Sequence, residues 1–208
     1  ILLILTSLLS LKEGKTLSSD KKNILDESGK YDDNINFKFE SSTGKLTLTG
    51  KGKMANYNQF SRPYHSYCGK IKRGEIGEGI TNIGSESFCN CINLLSVVIA
   101  STVTNISQEA FRGCSKLKSI SFSNNINNVQ IIEKYAFDKC SSLTSLPTFN
   151  NLISIGSKCF QYCNITSITL PQTLETFPLD AFDYNDNLKS INIDENNKYF
   201  MSIGGVLF

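Results

Sequence analysis

One apolar phrase recurs along this chain every 22 to 26 residues, and it limits the fold more tightly than anything else in the sequence. Written Ile-x(3–4)-Phe-x-x-Cys-x-x-Leu-x-x-Ile-x-Ile, it first runs through Ile83, Phe88, Cys91, Leu94, Val97 and Ile99. It returns as Ile106, Phe111, Cys114, Leu117, Ile120 and Phe122, then as Ile132, Phe137, Cys140, Leu143 and Leu146. A fourth pass gives Ile155, Phe160, Cys163, Ile165, Ile168 and Leu170, and a fifth Phe177, Phe182, Asn185, Leu188, Ile191 and Ile193. The phenylalanines at 88, 111, 137, 160 and 182 are therefore 23, 26, 23 and 22 residues apart. A fixed period in this range predicts a solenoid, in which each turn buries its apolar edge only against its neighbours.

Stacking is obligatory. Ordering one repeat of about 23 residues costs roughly 1.5 kcal/mol per residue, whereas six buried apolar side chains return roughly 1.5–3 kcal/mol each. Neighbouring turns must cover both open faces of each layer and pair its strand. Leu-x-x-Ile-x-Ile has the alternation of a short strand with one face inward. A small residue precedes the ring in four of the five repeats (Ser87, Ala110, Ala136, Ala181), with Cys159 in the other, as a tight helical or 3₁₀ turn docking one Phe requires. The predicted fold class is an α/β repeat solenoid of short parallel strands and short helical or 3₁₀ turns.

The spacing and the Leu-x-x-Leu-x-Leu strand resemble the leucine-rich repeat class. Ile-Thr-Asn-Ile-Gly-x(3)-Phe-x-x-Cys at 80–91, Ser-Lys-Leu-Lys-Ser-Ile at 115–120 and Leu-Pro-Gln-Thr-Leu at 170–174 resemble its BspA-like subgroup. Ser42-Thr43-Gly44-Lys45-Leu46-Thr47-Leu48-Thr49-Gly50 looks like the hairpin that opens members of that family. Asn197-Lys198-Tyr199 followed by Gly204-Gly205-Val206-Leu207-Phe208 looks like its hairpin-bearing repeat variant. The resemblance covers roughly residues 30–208. It implies a non-enzymatic surface or secreted protein of the kind found in mucosal bacteria and protists, linked to adhesion to host cells and matrix.

The sequence departs from the pattern at several places. Arg73-Gly74-Glu75 stands where the first strand should be apolar, which predicts an irregular turn around Ile71–Ile76. Pro178 replaces the usual Gly in the fifth repeat and Asn185 its Cys. Pro147 and Thr148 end the third strand, so its ladder should be short. Asn124–Gln130 carries a three-residue insertion, expected as a bulging loop.

At 208 residues the chain suits one elongated array with an N-terminal cap. Residues 1–14 read as the remnant of a secretory signal peptide: Ile1–Leu11 is almost wholly apolar, about 11 residues against the roughly 20 that span a bilayer. A buried first strand or helix is the other reading of that run. Residues 15–30 read as a polar linker, 31–70 as a β-hairpin cap and 71–208 as the array, expected to be truncated because it stops on an apolar strand with no polar cap. On this reading membrane attachment comes only through a missing anchor.

With 21 basic and 19 acidic residues the net charge of +2 gives no reason to expect nucleic acid. The only basic clusters, Lys51 with Lys53 and Lys70 with Lys72 and Arg73, read as solvated loop charges beside the cap. Of seven cysteines, Cys91, Cys114, Cys140 and Cys163 share one repeat position and are expected to pack as an inward ladder of small apolar groups. Rungs about 4.8 Å apart put parallel side chains in poor disulfide geometry, so Cys68 and Cys89, outside that ladder, are the better disulfide candidates.

No residue pattern in the chain carries catalytic or metal-binding chemistry. His65, the single histidine, sits in the turn joining cap to array, without the convergent nucleophile and carboxylate that catalysis needs. Gly74-Glu-Ile-Gly77-Glu-Gly79 has neither the Lys-Ser/Thr nor the spacing of a phosphate loop and carries two repelling glutamates. Asp32-Asp33 and Asp194-Glu195 fall in polar loops without EF-hand spacing, and Cys89-x-Cys91 lacks a second ligand pair for zinc. No cofactor, metal site or catalytic residue is expected.

What remains is a surface. Strand positions between the apolar ones carry Ser96 and Val98; Ser119, Ser121 and Ser123; Ser145 and Pro147; Ser167, Thr169 and Pro171; Ser190, Asn192 and Asp194. Serine recurs at one place in all five turns, which predicts a flat, hydroxyl-rich strip along the array. Such residues also suit any exposed parallel sheet. As a functional surface the strip would hydrogen-bond a glycan or an extended protein on a host or neighbouring cell or in matrix, weakly per copy and by avidity. Self-association into a structural coat is the competing expectation, since an exposed ladder invites pairing. Asn105-Ile-Ser107 and Asn164-Ile-Thr166 are glycosylation sequons expected at turns, with the glycan projecting outward.

Overall fold

A computed structural model describes residues 26–201 and, by backbone alone, 202–203 and 206–207. The apolar run Ile1–Leu11 and residues 15–25 of the expected linker lie outside the described residues. The chain opens with an antiparallel meander of β1 (Glu27–Lys30), β2 (Ile35–Glu40) and β3 (Lys45–Gly50). Because β1 pairs residue for residue with β2, the cap begins inside the stretch read as linker. Strict alternation explains the meander. Ile35, Phe37, Phe39, Leu46 and Leu48 are buried, and the residues between them face outward.

From there the chain winds between two parallel sheets. Its strands, in order, are β4 (Gly52–Lys53), β5 (Arg73–Ile76), β6 (Ile80–Ile83), β7 (Ser96–Ile99), β8 (Asn105–Ile106), β9 (Ser119–Phe122), β10 (Ile131–Ile132) and β11 (Ser154–Ile155). The first sheet runs β1-β2-β3-β5-β7-β9 and the second β11-β10-β8-β6-β4. Beyond them β12 (Ser167–Leu170) pairs with β13 (Ser190–Ile193), and β14 (Ser202–Ile203) with β15 (Val206–Leu207). The result is a solenoid of about five turns.

A third ladder, made of turns rather than strands, fixes the period. The N–H groups of Phe88, Phe111, Phe137 and Phe160 donate to the carbonyls of Ala110, Ala136, Cys159 and Ala181 at 2.7–2.9 Å. Two residues on, Asn90, Gly113, Lys139 and Tyr162 donate to Arg112, Asp138, Gln161 and Asp183 at 2.7–3.0 Å. These second donors sit in the left-handed region, with φ of 57°, 72°, 62° and 54°, which turns their N–H toward the next layer. Inside the turns, five phenylalanine rings form a column: successive centroids from Phe88 to Phe182 lie 5.0–5.3 Å apart with planes within 12° of parallel. Each ring sits over a fully buried small neighbour, Ser87, Ala110, Ala136, Cys159 or Ala181.

The cysteine position has a specific task. The thiols of Cys114, Cys140 and Cys163 donate to the carbonyls of Phe88, Phe111 and Phe137 in the preceding turn, at 3.0, 3.2 and 3.2 Å. Asn185, the apparent departure in the fifth repeat, does the same through its amide, reaching the carbonyls of Phe160 and Phe182 at 2.8 Å. The position therefore calls for a small buried donor, which Cys and Asn both supply.

Three expectations are corrected. Cys68 bonds to Cys91, and Cys89 is a free, buried thiol. Cys68 stands 23 residues before Cys91, one full period. It is the rung before the first, supplied by the cap's 3₁₀ helix His65–Lys70, so Cys91 is bonded rather than merely packed. Arg73–Ile76 is a regular strand, not an irregular turn, because Arg73 and Glu75 face out and Gly74 takes the inward place. A Cβ at Gly74 would meet Phe88 Cε1 at 3.2 Å and Val97 Cγ2 at 3.3 Å. Gly74→Val is accordingly expected to overpack this layer and cost about 1–3 kcal/mol, read as a lower thermal midpoint; an unchanged midpoint would mean the layer is loose. Finally, residues 144–148 form no strand at all, so the first sheet stops at β9 and resumes as the separate β12–β13 pair.

Candidate binding surface

The outward strand positions align across the sheets in register. Arg73, Ser96 and Ser119 form one row, Glu75, Val98 and Ser121 the next, while Ser167 lies beside Ser190 and Thr169 beside Asn192. Ser119, Ser121, Ser145, Ser167 and Thr169 are exposed; Ser96, Ser190 and Asn192 are half-buried. Ser121 reaches back to the carbonyl of Val97 at 3.4 Å. Ser123 is not a free hydroxyl: it donates to the Glu78 carboxylate and accepts from the Ser101 N–H at 2.9 Å. The Ser123 hydroxyl first, then the Ser101 N–H and hydroxyl that also donate to it, hold the Glu78 carboxyl below its ordinary range.

The strip is not flat. Where the third turn has no strand, two shallow grooves open on either side of Thr148 and Asn150. One, of about 280 Å³, adds Ser121, Asn125, Asn127 and Pro147. The other, of about 330 Å³, adds Thr169, Gln172 and Asp194. Asn124 and Asn125 of the insertion adopt φ of 53° and 57°, a conformation Asn tolerates, and the Asn127 amide fixes the loop by donating to the carbonyl of Thr148 at 2.7 Å. Amides and hydroxyls that donate and accept, with a single carboxylate, suit hydrogen bonding to a polar ligand. Pro147 and the insertion each depart from the repeat, but nothing in the sequence pairs them; together they line the groove.

Other candidates fall elsewhere. His65 is exposed in the cap helix, edge-on to Phe60 at 5.6 Å. Asn105 is not at a turn but in β8, between β6 and β10, its amide donating to Glu133 at 2.8 Å, and Ser107 of its sequon is buried. Asn164 lies in the loop before β12, half-buried, accepting from Asn187 at 2.7 Å. Glu86, Cys89 and Glu109 bring possible metal-ligating atoms within 4.8 Å of one another. Glu109, however, already accepts from Arg112 at 2.8 Å and Gln108 at 3.1 Å, and Glu86 from the Gln59 N–H at 2.9 Å. Burial pushes the Cys89 thiol up to about 11, so this group is satisfied as a hydrogen-bonded cluster.

Short parallel strands on two faces, a ladder of tight turns on the third, and a column of stacked Phe rings define a leucine-rich-repeat solenoid. The sequence model of the BspA type leucine rich repeat region matches six copies over residues 54–131 and 125–204, and the chain belongs to that family. Among solved structures, a leucine-rich repeat protein from Eubacterium ventriosum superposes with a TM-score of 0.79 at 26% identity, covering 88% of this chain and 48% of its own length. A leucine-rich repeat protein of T. pallidum gives 0.56 at 21%, covering 74% and 66%. A leucine rich cell surface protein from Faecalibacterium prausnitzii gives 0.55 at 21%, covering 91% and 59%. The chain thus spans about half the length of the Eubacterium protein. No curated protein matches it. The repeat fold is that of an interaction or surface scaffold, generally non-enzymatic.

Proposed function

We propose that this chain is an extracellular, cell-surface or secreted adhesive module that binds a protein or glycan of a host or neighbouring cell without catalysis. The observation that carries this reading is the pair of grooves at the interrupted third turn, set between Ser121 and Thr169 on an otherwise regular sheet. They present amides and hydroxyls on a rigid repeat scaffold, and such surfaces are where repeat proteins bind. The strip has no tryptophan and few large anchors, so affinity per copy is low and many copies act together.

The test is a double substitution, Ser121→Glu with Thr169→Glu. Both positions are exposed, so the fold should hold within about 0.5 kcal/mol. Binding of the multivalently displayed chain to epithelial cells or matrix protein is expected to drop at least roughly tenfold. Undiminished binding by the folded variant would remove the strip as the site.

A further inference from the structure

A second surface lies on the turn edge, away from the strand strip. The residue two beyond each core phenylalanine is Asn90, Gly113, Lys139, Tyr162 and Tyr184 in successive turns, every one with positive φ. Asn and Gly suit that left-handed backbone; a bulky ring is disfavoured there. Yet the last two turns carry tyrosines that also face solvent, 43% and 60% exposed. Their rings stack on one another at 4.4 Å with planes 6° apart. Two unfavourable placements side by side, neither filling the core, mark a surface kept for contact.

The adjoining ground completes a site. Tyr162 and Lys139 border a shallow, open depression of about 410 Å³ with Ser115 and Ser141. Tyr184 covers one face of the Tyr162 ring, and Lys139 holds the same position one turn before Tyr162. Lys139 is exposed and brings a mobile ammonium with three donors. The adjacent carboxylate, Asp138, is buried and accepts from Arg112 at 3.1 Å, and Lys139 lines the open depression. An aromatic face, two hydroxyls and one cation match a sugar ring that carries a carboxylate: carbon–hydrogen faces on the ring, hydroxyls to the serines, anion to the lysine.

We propose that the Lys139–Tyr162–Tyr184 edge is a binding site for an acidic saccharide, distinct from the strand strip. The decisive variants are Lys139→Asn and the pair Tyr162→Asn with Tyr184→Asn. Asn is better suited than either residue to the left-handed backbone, so these chains should fold. The full chain is titrated, by saturation-transfer NMR, with 3′-sialyllactose, with a hyaluronan tetrasaccharide and with lactose. At least one acidic sugar is expected to bind with a Kd of about 1 mM or tighter, and lactose at least roughly tenfold more weakly. Which of the two binds separates a sialic acid from a uronic acid. Each Asn variant is expected to weaken that binding roughly tenfold or more, whereas the Ser121→Glu, Thr169→Glu chain retains it. Equal binding of lactose, no acidic-sugar binding, or folded Asn variants that bind undiminished would overturn the site. Cell or matrix binding that persists without acidic-sugar binding would sink this inference alone and leave the strand-strip reading standing.

Discussion

Phe111→Ala is expected to destabilise the chain by about 3–5 kcal/mol, because its ring sits inside the buried column with a neighbour on each face. Phe111 is fully buried, and its ring lies 5.0 Å from Phe88 and 5.1 Å from Phe137, nearly parallel to both. Removing it leaves a void that backbone collapse cannot close, because the turns on both sides are tied by the Phe88–Ala110 and Phe111–Ala136 hydrogen bonds. In a one-dimensional stack each layer contacts only its neighbours, so the loss also uncouples the turns before Phe111 from those after it. The thermal midpoint should fall by about 10 °C or more, and the transition should broaden or split when followed by circular dichroism. A shift below about 2 °C would mean that the ring column is not the core.

Breaking Cys68–Cys91 is expected to cost about 3 kcal/mol, the constraint lost from a loop spanning 23 residues. The damage should be local. This bond fastens the cap to the first turn, and Arg62 is the second fastening. Arg62 is 3% exposed, and its guanidinium donates from Nη1 to the carbonyl of Glu86, and from Nη2 to the carbonyl of Cys89 and to Cys68 Sγ, all at 2.8 Å. No carboxylate is among its hydrogen-bond partners. Burial lowers its pKa, and the carbonyls of Glu86 and Cys89, with Cys68 Sγ, take its hydrogen bonds. Cys68→Ser, compared with the parent by hydrogen exchange, should accelerate exchange in residues 30–70 and leave the turns from Phe137 to Ile193 protected. Uniform acceleration, or none, would contradict a cap held by that bond.

Much of this architecture was legible in the residues. Phe88 through Phe182 recur because each turn contributes one ring to the same buried column, so their spacing reports the solenoid directly. The alternation at Ser119–Phe122 likewise reports which side chains face out. Three things were hidden, each for a physical reason. Cys68 lies one period before Cys91 but follows Tyr64 rather than a Phe-x-x-Cys phrase, so its place on the ladder shows only once the cap's 3₁₀ helix is seen to complete a layer. Asn185 looked like a lapse because sequence matching compares side-chain types, whereas the fold asks for a donor to a carbonyl. Asn105 looked like a turn residue because a two-residue strand leaves no alternation to read; its ladder to β6 and β10 exists only through the stacking of distant turns.

The surface was the less legible part. Ser121 and Thr169 stand where the alternation puts them, but the grooves between them depend on what is missing, a strand at 144–148, together with the folding of the Asn124–Gln130 insertion against Thr148. Likewise, Tyr162 and Tyr184 are 22 residues apart in sequence, and nothing local says that their rings touch. Their left-handed backbone, dictated by the turn ladder, aims both outward.

The most direct measurement is binding of the whole chain to epithelial cells and matrix protein, once as a monomer and once displayed at high density on a bead. A repeat scaffold with a shallow polar strip should bind barely, if at all, as a monomer and saturably when displayed, with an apparent gain of roughly 10²-fold or more from avidity. Displayed chains, folded by circular dichroism, that bind nothing would contradict an adhesive module, as would monomers that bind as tightly as the displayed array.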